Sequence, residues 1–600
     1  MKRDGITYWI APCADAHQSE YIGSHDACVR FLSGFTGDSC TLLVTDHDAR
    51  LWTDGRYFVQ AEKELSGSGV TLMRIGEPGV PALTEYLDGI LRAGDAVGFF
   101  APYMSSLLGN TISGIAEKHG ASLVTKKDPV DAVWEKRPGR SAEEIWLLGE
   151  EYTGESAAEK VRELREEMKR AGCTAFVTGA LDETAWITNL RGSDIACNPV
   201  FLSYFLLRRR SAVLYVQEKA LSTKAAGYLG KNGIEVRNYD SFPEDLKKLR
   251  GERILLDPAS TSYALSEILS GKNRILEDVS PAAVLKTVKT ETEQDCLTES
   301  HIRDGVYMTK FLCWIKERVR NAPDGSISET DAAEYLDALR ASDKKFVSLS
   351  FPTISAYGAN AALPHYMPEK ESAAKLHRRG LYLVDSGAHY LDGTTDVTRT
   401  IALGETTPEE RWDYTLTVIG MLNLMTAVFP YGVRGMNLDT FARAPLWAYG
   451  RDFNHGTGHG IGFCNTVHEP PTAIRFHPSA DPQRDRPFVP GMVTSDEPGI
   501  YVENQYGIRT ENQLLCVPHP AYEGSFAFRP LTLVPLDPDP LEVSLMTKED
   551  RKRFNAYQEL VRKVIGPQLT KEERQWLRNE TRKIRKPAGG TGKRKKTARR

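Results

Sequence analysis

Residues 455–462 read HGTGHGIG, two histidines four positions apart with four glycines in eight. A spacing of four is what a helix uses to aim two imidazoles at one metal. Glycine costs a helix roughly 0.8–1.0 kcal/mol per residue against alanine, so a helix is a poor host for this stretch. The glycines also fail to fall in the G-x-G-x-x-G order of a dinucleotide loop. What remains is an extended segment whose backbone passes close to another chain segment. The two histidines then need not share a task.

At 600 residues the chain exceeds what one core supports, and length alone suggests roughly three or four domains. With 41% hydrophobic and 26% charged residues, most of the chain has the composition of a folded protein. No apolar run approaches a membrane span, and the opening MKRDG has no apolar stretch behind its cations. A cytoplasmic protein with no membrane partner is expected. The nine cysteines are scattered and include no C-x-x-C pair, which favours reduced thiols over disulfides or structural zinc. Residues 581–600 carry ten Lys or Arg and no acid, and read as a basic, disordered tail on an acidic body.

Along the first segment, strand-like runs (ITYWIAP, SCTLLVT, ARLWTDG, VGFF) alternate with helical ones, as in a mixed sheet with covering helices. Lys136 to Arg140 mark a boundary. A charged helix is expected from Ala142 to Ala171, followed by a second strand–helix alternation to about Pro281. FLSGFTGD (Phe31–Asp38) and WITNLRGS (Trp186–Ser193) are similar enough to suggest an internal repeat. A third unit starts with an amphipathic helix carrying Ile302, Val306, Leu312, Ile315 and Val319. Residues 546–580 read as a helical extension.

The unusual residues lie in the third unit. LYLVDSGAHYLDGTTDVTRTIAL reads as paired strands around glycine turns, with Asp385 closing one apolar run and Asp396 opening the next. His459 follows in HGTGHGIG, Glu497 comes directly after a strand in VTSDEPGIYV, and Glu511 falls inside a strand in YGIRTENQLLC. Any one of them alone is best read as a solvated turn or strand-edge group. Together, four carboxylates and one imidazole beside apolar strands could converge on one sheet face. Crowded carboxylates raise one another's pKa, and two divalent cations would balance their charge. Oxygen ligands with one imidazole and no thiolate suit Mn2+, Co2+, Fe2+ or Zn2+. Two such ions roughly 3.5 Å apart can share and activate a hydroxide, which is hydrolytic chemistry. His365, His455 and His468 add imidazoles able to stabilise an oxyanion or move a proton.

The ordered set Asp385, Asp396, His459, Glu497 and Glu511, in the contexts DSGAHYLDGTTDVTRT, HGTGHGIG, EPGIY and RTEN, resembles the dinuclear site of the pita-bread metallopeptidases. With WTDGRY (Trp52–Tyr57) and two pre-domains, the chain is similar over about residues 5–545 to the long, three-domain, cytosolic Xaa-Pro aminopeptidases. The resemblance implies an α/β (α+β) architecture: creatinase-like N-terminal domains over 1–137 and 138–284, then a pita-bread catalytic domain over 285–545. It implies two divalent ions per chain, Mn2+ being the usual ion and Co2+ or Zn2+ the alternatives. Asp385 and Asp396 would hold one ion and His459 the other, Glu497 and Glu511 completing the pair, with Asp396 and Glu511 bridging. Catalytic roles would fall to His365, His455, His468 and Glu497, and substrate contacts to Arg56, His365, His468, Tyr501 and Arg509.

The implied reaction releases the N-terminal residue from peptides with proline second, by attack of a metal-bridging hydroxide. Glu497 would take the water's proton, His365 would help the oxyanion, and Tyr501 would pack on the proline ring. A homodimer through the catalytic domain is also implied. Two alternatives stand beside this one: an Xaa-Pro dipeptidase (prolidase), and a non-catalytic pita-bread protein binding partners or RNA. The basic tail favours the latter and the intact ligand set opposes it; elsewhere no nucleic-acid partner is expected. RFHPSADPQRDRPFVP, between His468 and Glu497, is longer than the resemblance leads one to expect and reads as an enlarged surface loop.

Overall fold

The computed structural model describes residues 1–479 and 481–586. The first unit is a six-stranded sheet built from Tyr8–Pro12 (β1), Cys40–Val44 (β2), Ala49–Thr53 (β3), Val70–Arg74 (β4), Ala96–Phe99 (β5) and Ser122–Val124 (β6). Their order is β4-β3-β2-β1-β5-β6. The pairs β1/β2 and β2/β3 are antiparallel, whereas β1/β5, β3/β4 and β5/β6 are parallel. Helix α1 (Cys28–Ser33) sits between β1 and β2 in the chain and stops on Gly34, whose φ of 78° suits a residue without a Cβ.

The helix expected from Ala142 to Ala171 is shorter. Gly154 adopts φ 71° and ends a single turn at Thr153, while Trp146–Leu147 form a short strand. The helix proper, α2 (Ala157–Arg170), restarts at Ser156, whose hydroxyl accepts from Glu159 N while the Glu159 carboxylate accepts from Ser156 N at 2.9 Å. Both stop and start were present in the sequence as a glycine and an S-x-x-E capping box. Charge and helix propensity masked them.

The second unit repeats the first. Ala175–Thr178 (β7), Ser203–Arg208 (β8), Ala212–Val216 (β9), Glu235–Asn238 (β10), Arg253–Leu256 (β11) and Arg274–Glu277 (β12) run in the order β10-β9-β8-β7-β11-β12. Every corresponding pair has the same direction as in the first sheet. Helix α3 (Leu181–Thr188) takes the place of α1 and ends on Asn189, again left-handed at φ 55°. The similar octapeptides occupy equivalent places, so the repeat is one of fold.

The third unit opens with α4 (Glu291–Asn321), capped by a Thr290–Glu293 box and buried through Val306, Leu312, Ile315 and Val319. The strands that carry the chemistry follow: Leu381–Ser386 (β13), Val397–Ala402 (β14), Gly458–His459 (β15), Val493–Asp496 (β16), Tyr506–Arg509 (β17) and Asn512–Pro518 (β18). Helices α5 (Pro408–Met425) and α6 (Gly435–Trp447) lie between β14 and β15 in the chain.

The C-terminal helices α7 (Lys548–Ile565) and α8 (Lys571–Glu580) are integral to this unit. Their Phe554, Tyr557, Val561, Ile565 and Leu577 share a core with Met421, Leu514 and Leu536. Burying such side chains stabilises by about 1.5–3 kcal/mol each, which explains why polar-looking helices dock so firmly. The tail expected to be disordered from 581 is packed at its start. Thr581 is buried, Arg582 meets Asp539 at 2.6 Å, and Ile584 packs on the same core. Residues 587–600, the rest of that tail, lie outside the described residues.

Candidate metal centre

The five ligand candidates do converge. β13 and β14 pair antiparallel with Asp385 opposite Thr398, which places Asp385 and Asp396 at the same end of the ladder. Glu511 is not inside a strand as expected; it lies at the break between β17 and β18. There its N–H donates to Thr398 O at 3.1 Å, and its Oε2 accepts from the Thr398 hydroxyl at 2.7 Å. On the other side, Ser495 joins two candidates: its Oγ accepts from His459 N at 2.9 Å and donates to Glu497 Oε1 at 3.0 Å.

Glycine makes the approach of β15 to β16 feasible. A Cβ on Gly458 would stand 2.1 Å from Ser495 O, one on Gly460 2.3 Å from Glu469 O, and one on Gly462 2.4 Å from Thr466 O. HGTGHGIG is therefore extended and close-packed. Its histidines differ in task. His455 uses both nitrogens within the chain, Nδ1 toward Gly456 O at 2.7 Å and Nε2 toward the Tyr501 hydroxyl at 2.8 Å. His459 donates Nδ1–H to Gly460 O at 3.0 Å, leaving Nε2 3.4 Å from both Asp396 Oδ2 and Glu497 Oε1.

A ring nitrogen facing two carboxylates calls for positive charge between them, supplied by a proton on Nε2 when no ion is bound and by a metal ion when one is. Asp396, His459 and Glu511 each place one donor atom within 4.8 Å of the others. Asp385 Oδ1 and Glu511 Oε1 are buried without a hydrogen-bond partner, a costly state unless something binds them. Burial pushes Asp385 up to about 7 against the pull of Arg509, whose Nη2 donates to its Oδ2 at 2.5 Å. Burial, then Asp396, Glu497 and Asp385, hold Glu511 well above the usual carboxylate range. Burial disfavours charge on His459, yet Asp396 and Glu497 outweigh it and raise its pKa to about 9. Oxygen donors with one imidazole and no thiolate fit two divalent ions. A second acidic group, Asp537, Asp539 and Glu580, already holds a cation of the chain at its centre, Lys316 at 2.8, 3.1 and 2.9 Å.

The five residues open on a cavity of about 680 Å³ that Arg56, His365, His455, His468 and Arg509 also line. Tyr501, expected to face the substrate, is not in its wall. Its hydroxyl is held between His455 and Arg509 Nη1, the latter at 2.8 Å. Three further residues, none of them anticipated, come from the first unit. Glu20 meets His468 Nδ1 at 2.8 Å, and the Tyr57 hydroxyl lies 2.8 Å from His365 Nδ1 while also bonding Asp38. Tyr57 at least stood beside Arg56 in WTDGRY; Glu20, 448 residues from its partner, carried no signal.

The loop of residues 475–490, expected to be enlarged, is tied within itself and to the second unit. Arg475 lines the cavity and meets Asp485 at 2.9 Å, and Arg484 pairs with Asp257 of the second unit.

A sheet-built cavity with this ligand set, preceded by two repeated α/β units, defines the class as a metal-dependent peptidase. The description "Metallopeptidase family M24" matches residues 295–518 and its C-terminal region 524–584, while creatinase/prolidase N-terminal domains match 14–144 and 136–293. A probable Xaa-Pro aminopeptidase P of Sordaria macrospora is 38% identical over 97% of both chains, and one of Neurospora crassa is 38% identical over 97% of this chain and 87% of its own. The X-prolyl aminopeptidase of Caenorhabditis elegans, described as a cytosolic enzyme with a di-nuclear active site, superposes with a TM-score of 0.92. It is 34% identical over 96% of this chain and 95% of its own. The chain belongs to metallopeptidase family M24, in the branch with two creatinase/prolidase-type N-terminal domains.

Proposed function

We propose that the chain is an Xaa-Pro aminopeptidase, removing the first residue of peptides whose second residue is proline. The observation that carries the reading is the convergence of Asp385, Asp396, His459, Glu497 and Glu511 on one cavity with uncompensated lone pairs. Those five residues would hold two divalent ions, with Mn2+ the first candidate. Bound there, the ions would polarise the scissile carbonyl and lower the pKa of a water.

The chain's own groups do the rest. Glu497 accepts the water's proton, and its Oε1 is already oriented by Ser495. His365 and His468 face the substrate from the cavity wall, with Arg56 beside them. Arg509 holds Asp385 in place, and His455 and Tyr501 support Arg509 in turn. Proline after the cut offers no N–H for alignment, so a shaped wall has to recognise its ring.

The dipeptidase reading has less support, because similarity to the aminopeptidases spans both N-terminal units. A homodimer through the third unit is supported by an exposed aromatic surface. Trp447 stacks edge-on with Phe476 at 5.4 Å, and Trp412 with Tyr449 at 5.2 Å, all at least 36% exposed. A cytoplasmic location is supported by nine free cysteines and by the lack, among the described residues, of any helix long and apolar enough to cross a membrane. Domain limits of 1–137 and 138–284 are supported by the two sheets, which end at Val124 and Glu277, whereas the third unit runs past 545 to take in α7 and α8, which share its core. Metal analysis of the purified protein, with hydrolysis of an Xaa-Pro-Pro tripeptide set against an Xaa-Pro dipeptide, tests the reading. Fewer than two bound ions per chain, or cleavage of the dipeptide alone, would refute it.

A further inference from the structure

Two cysteines that the proposed reaction does not use meet across the first sheet, beside the cavity. Cys13 follows β1 and Cys40 opens β2, and the antiparallel register that sets Pro12 opposite Thr41 sets these two opposite each other. The Cys13 N–H donates to Cys40 O at 2.9 Å. Cross-strand partners joined in this way have Cα atoms about 5.5 Å apart, inside the roughly 4.4–6.8 Å that a disulfide spans. Their side chains leave the same face of the sheet, and each Sγ stands 4.0 Å from one acceptor, Gly37 O. Neither is fully buried, and Cys13 lines the cavity, where a small oxidant can reach it.

We propose that Cys13 and Cys40 are a redox-modification site: a small disulfide oxidant of the glutathione class closes them into a disulfide that lowers turnover, and a dithiol reductant reopens them. The effect on turnover rests on the aminopeptidase reading above; the bond itself does not. The Cys13 thiolate attacks one sulfur of the oxidant, releasing a first small thiolate and leaving a mixed disulfide. Cys40 then loses its proton to water and attacks Cys13 Sγ, expelling the second small thiolate. The two protein thiols give up two electrons and two protons, and the oxidant leaves as two thiols. The neighbouring Cys13 thiol, then burial, pushes the Cys40 thiol up. Capping Cys13 removes the first of those causes, which suits Cys40 to the second step.

The bond reaches the site through the loop between Phe35 and Cys40. A disulfide has no S–H, so Gly37 O loses both thiol donors at once. Cβ atoms of facing strand residues lie about 4.5–5.5 Å apart, against about 3.8 Å in a disulfide, so closure draws Cys40 toward Cys13. Gly37 has no slack to absorb the pull: a Cβ there would stand 2.4 Å from the Phe35 ring and 2.9 Å from that of Tyr57. Asp38, two residues before Cys40, bonds the Tyr57 hydroxyl, which lies 2.8 Å from His365 Nδ1. Gly37, Asp38, Tyr57 and His365 all line the cavity, so a shift of this loop alters the wall that holds the substrate.

In the test, the full-length, Mn2+-loaded protein, purified reduced, is incubated with excess oxidised glutathione, then alkylated and mapped by mass spectrometry. A Cys13–Cys40 link is expected, with a fall of about three- to tenfold in kcat/KM for an Xaa-Pro-Pro tripeptide at unchanged bound metal. Dithiothreitol reverses both. Cys40→Ser, which keeps a hydroxyl donor for Gly37 O, retains the parent's kcat/KM in the reduced state and forms no link, ending as a glutathione adduct on Cys13. The absence of a Cys13–Cys40 link in the unaltered chain, or a link that leaves kcat/KM unchanged, overturns the proposal. Mapping needs no substrate. A chain that forms and releases the link but cleaves no Xaa-Pro peptide even when reduced refutes the aminopeptidase reading while confirming the dithiol.

Discussion

The first and second units carry the same six-stranded sheet, yet they meet the cavity with different chemistry. The first supplies Glu20, Asp38, Arg56 and Tyr57; the second supplies only Ile195, Ala196 and Cys197. Charged groups of the second unit are used in docking instead. Arg191, 2% exposed, donates to Phe463 O at 3.0 Å and also to the Cys464, Ala185 and Leu190 carbonyls. Asp182 meets Lys286 at 3.0 Å, and Lys286 meets Glu469, the neighbour of His468, at 3.3 Å.

The contrast is sharpest in the similar octapeptides. Gly34 and Asn189 both supply the left-handed turn, and Gly37 and Gly192 both lie too close to their neighbours for a Cβ. Where the first loop has Asp38, the second has Ser193; where the first has Thr36, the second has Arg191. Backbone requirements were kept in both copies, while the side chains at these two positions line the cavity in the first loop and, through Arg191, dock on the third unit in the second.

Four substitutions would test that division. His459→Ala sets the floor, with loss of hydrolysis by at least about a thousandfold and loss of bound metal; near-normal turnover would remove the site from under both units. Arg191→Met strips four carbonyls of their donor and should cost about 3 kcal/mol of stability in denaturant unfolding, while turnover per folded molecule persists. Arg56→Ala should do the reverse, lowering kcat/KM roughly ten- to a hundredfold with its thermal midpoint nearly unchanged. A drop in midpoint as large as that of Arg191→Met would erase the contrast.

The smallest effect concerns Glu183 of the second unit. Burial, then Asp182, raises its pKa to about 8 while Ser280 donates to it at 2.7 Å. The folded state holds this proton more tightly than the unfolded one, so stability is lost as pH rises from the ordinary carboxylate range through about 8. Glu183→Gln should therefore melt a few degrees higher than the parent at pH 8, with the gap closing toward pH 4. A gap independent of pH would mean the carboxyl is not the cause.

Much of the metal site was legible because each ligand sits in a short stretch whose chemistry is local: an apolar strand, a glycine turn, a single acid or imidazole. The glycines of HGTGHGIG already excluded a helix. Tyr501 falls outside the cavity wall because Glu497 and Pro498 break the chain between β16 and the next strand, Gly499–Val502, so alternation could not be carried across to it. Asp38 was visible only as part of a repeat, and nothing in a linear reading sets it against Tyr57 and His365. Glu20 shows the general limit: a contact across 448 residues depends on how folded units dock, which local patterns do not encode.

The cavity draws on side chains from Glu20 to Glu511, and the core beneath it is finished by α7 and α8. A ribosome delivers these pieces in order. No nascent chain shorter than about 511 residues owns the full ligand set, and none lacking α8 has the core that supports it. Peptide-cutting activity is thereby withheld until synthesis is nearly over.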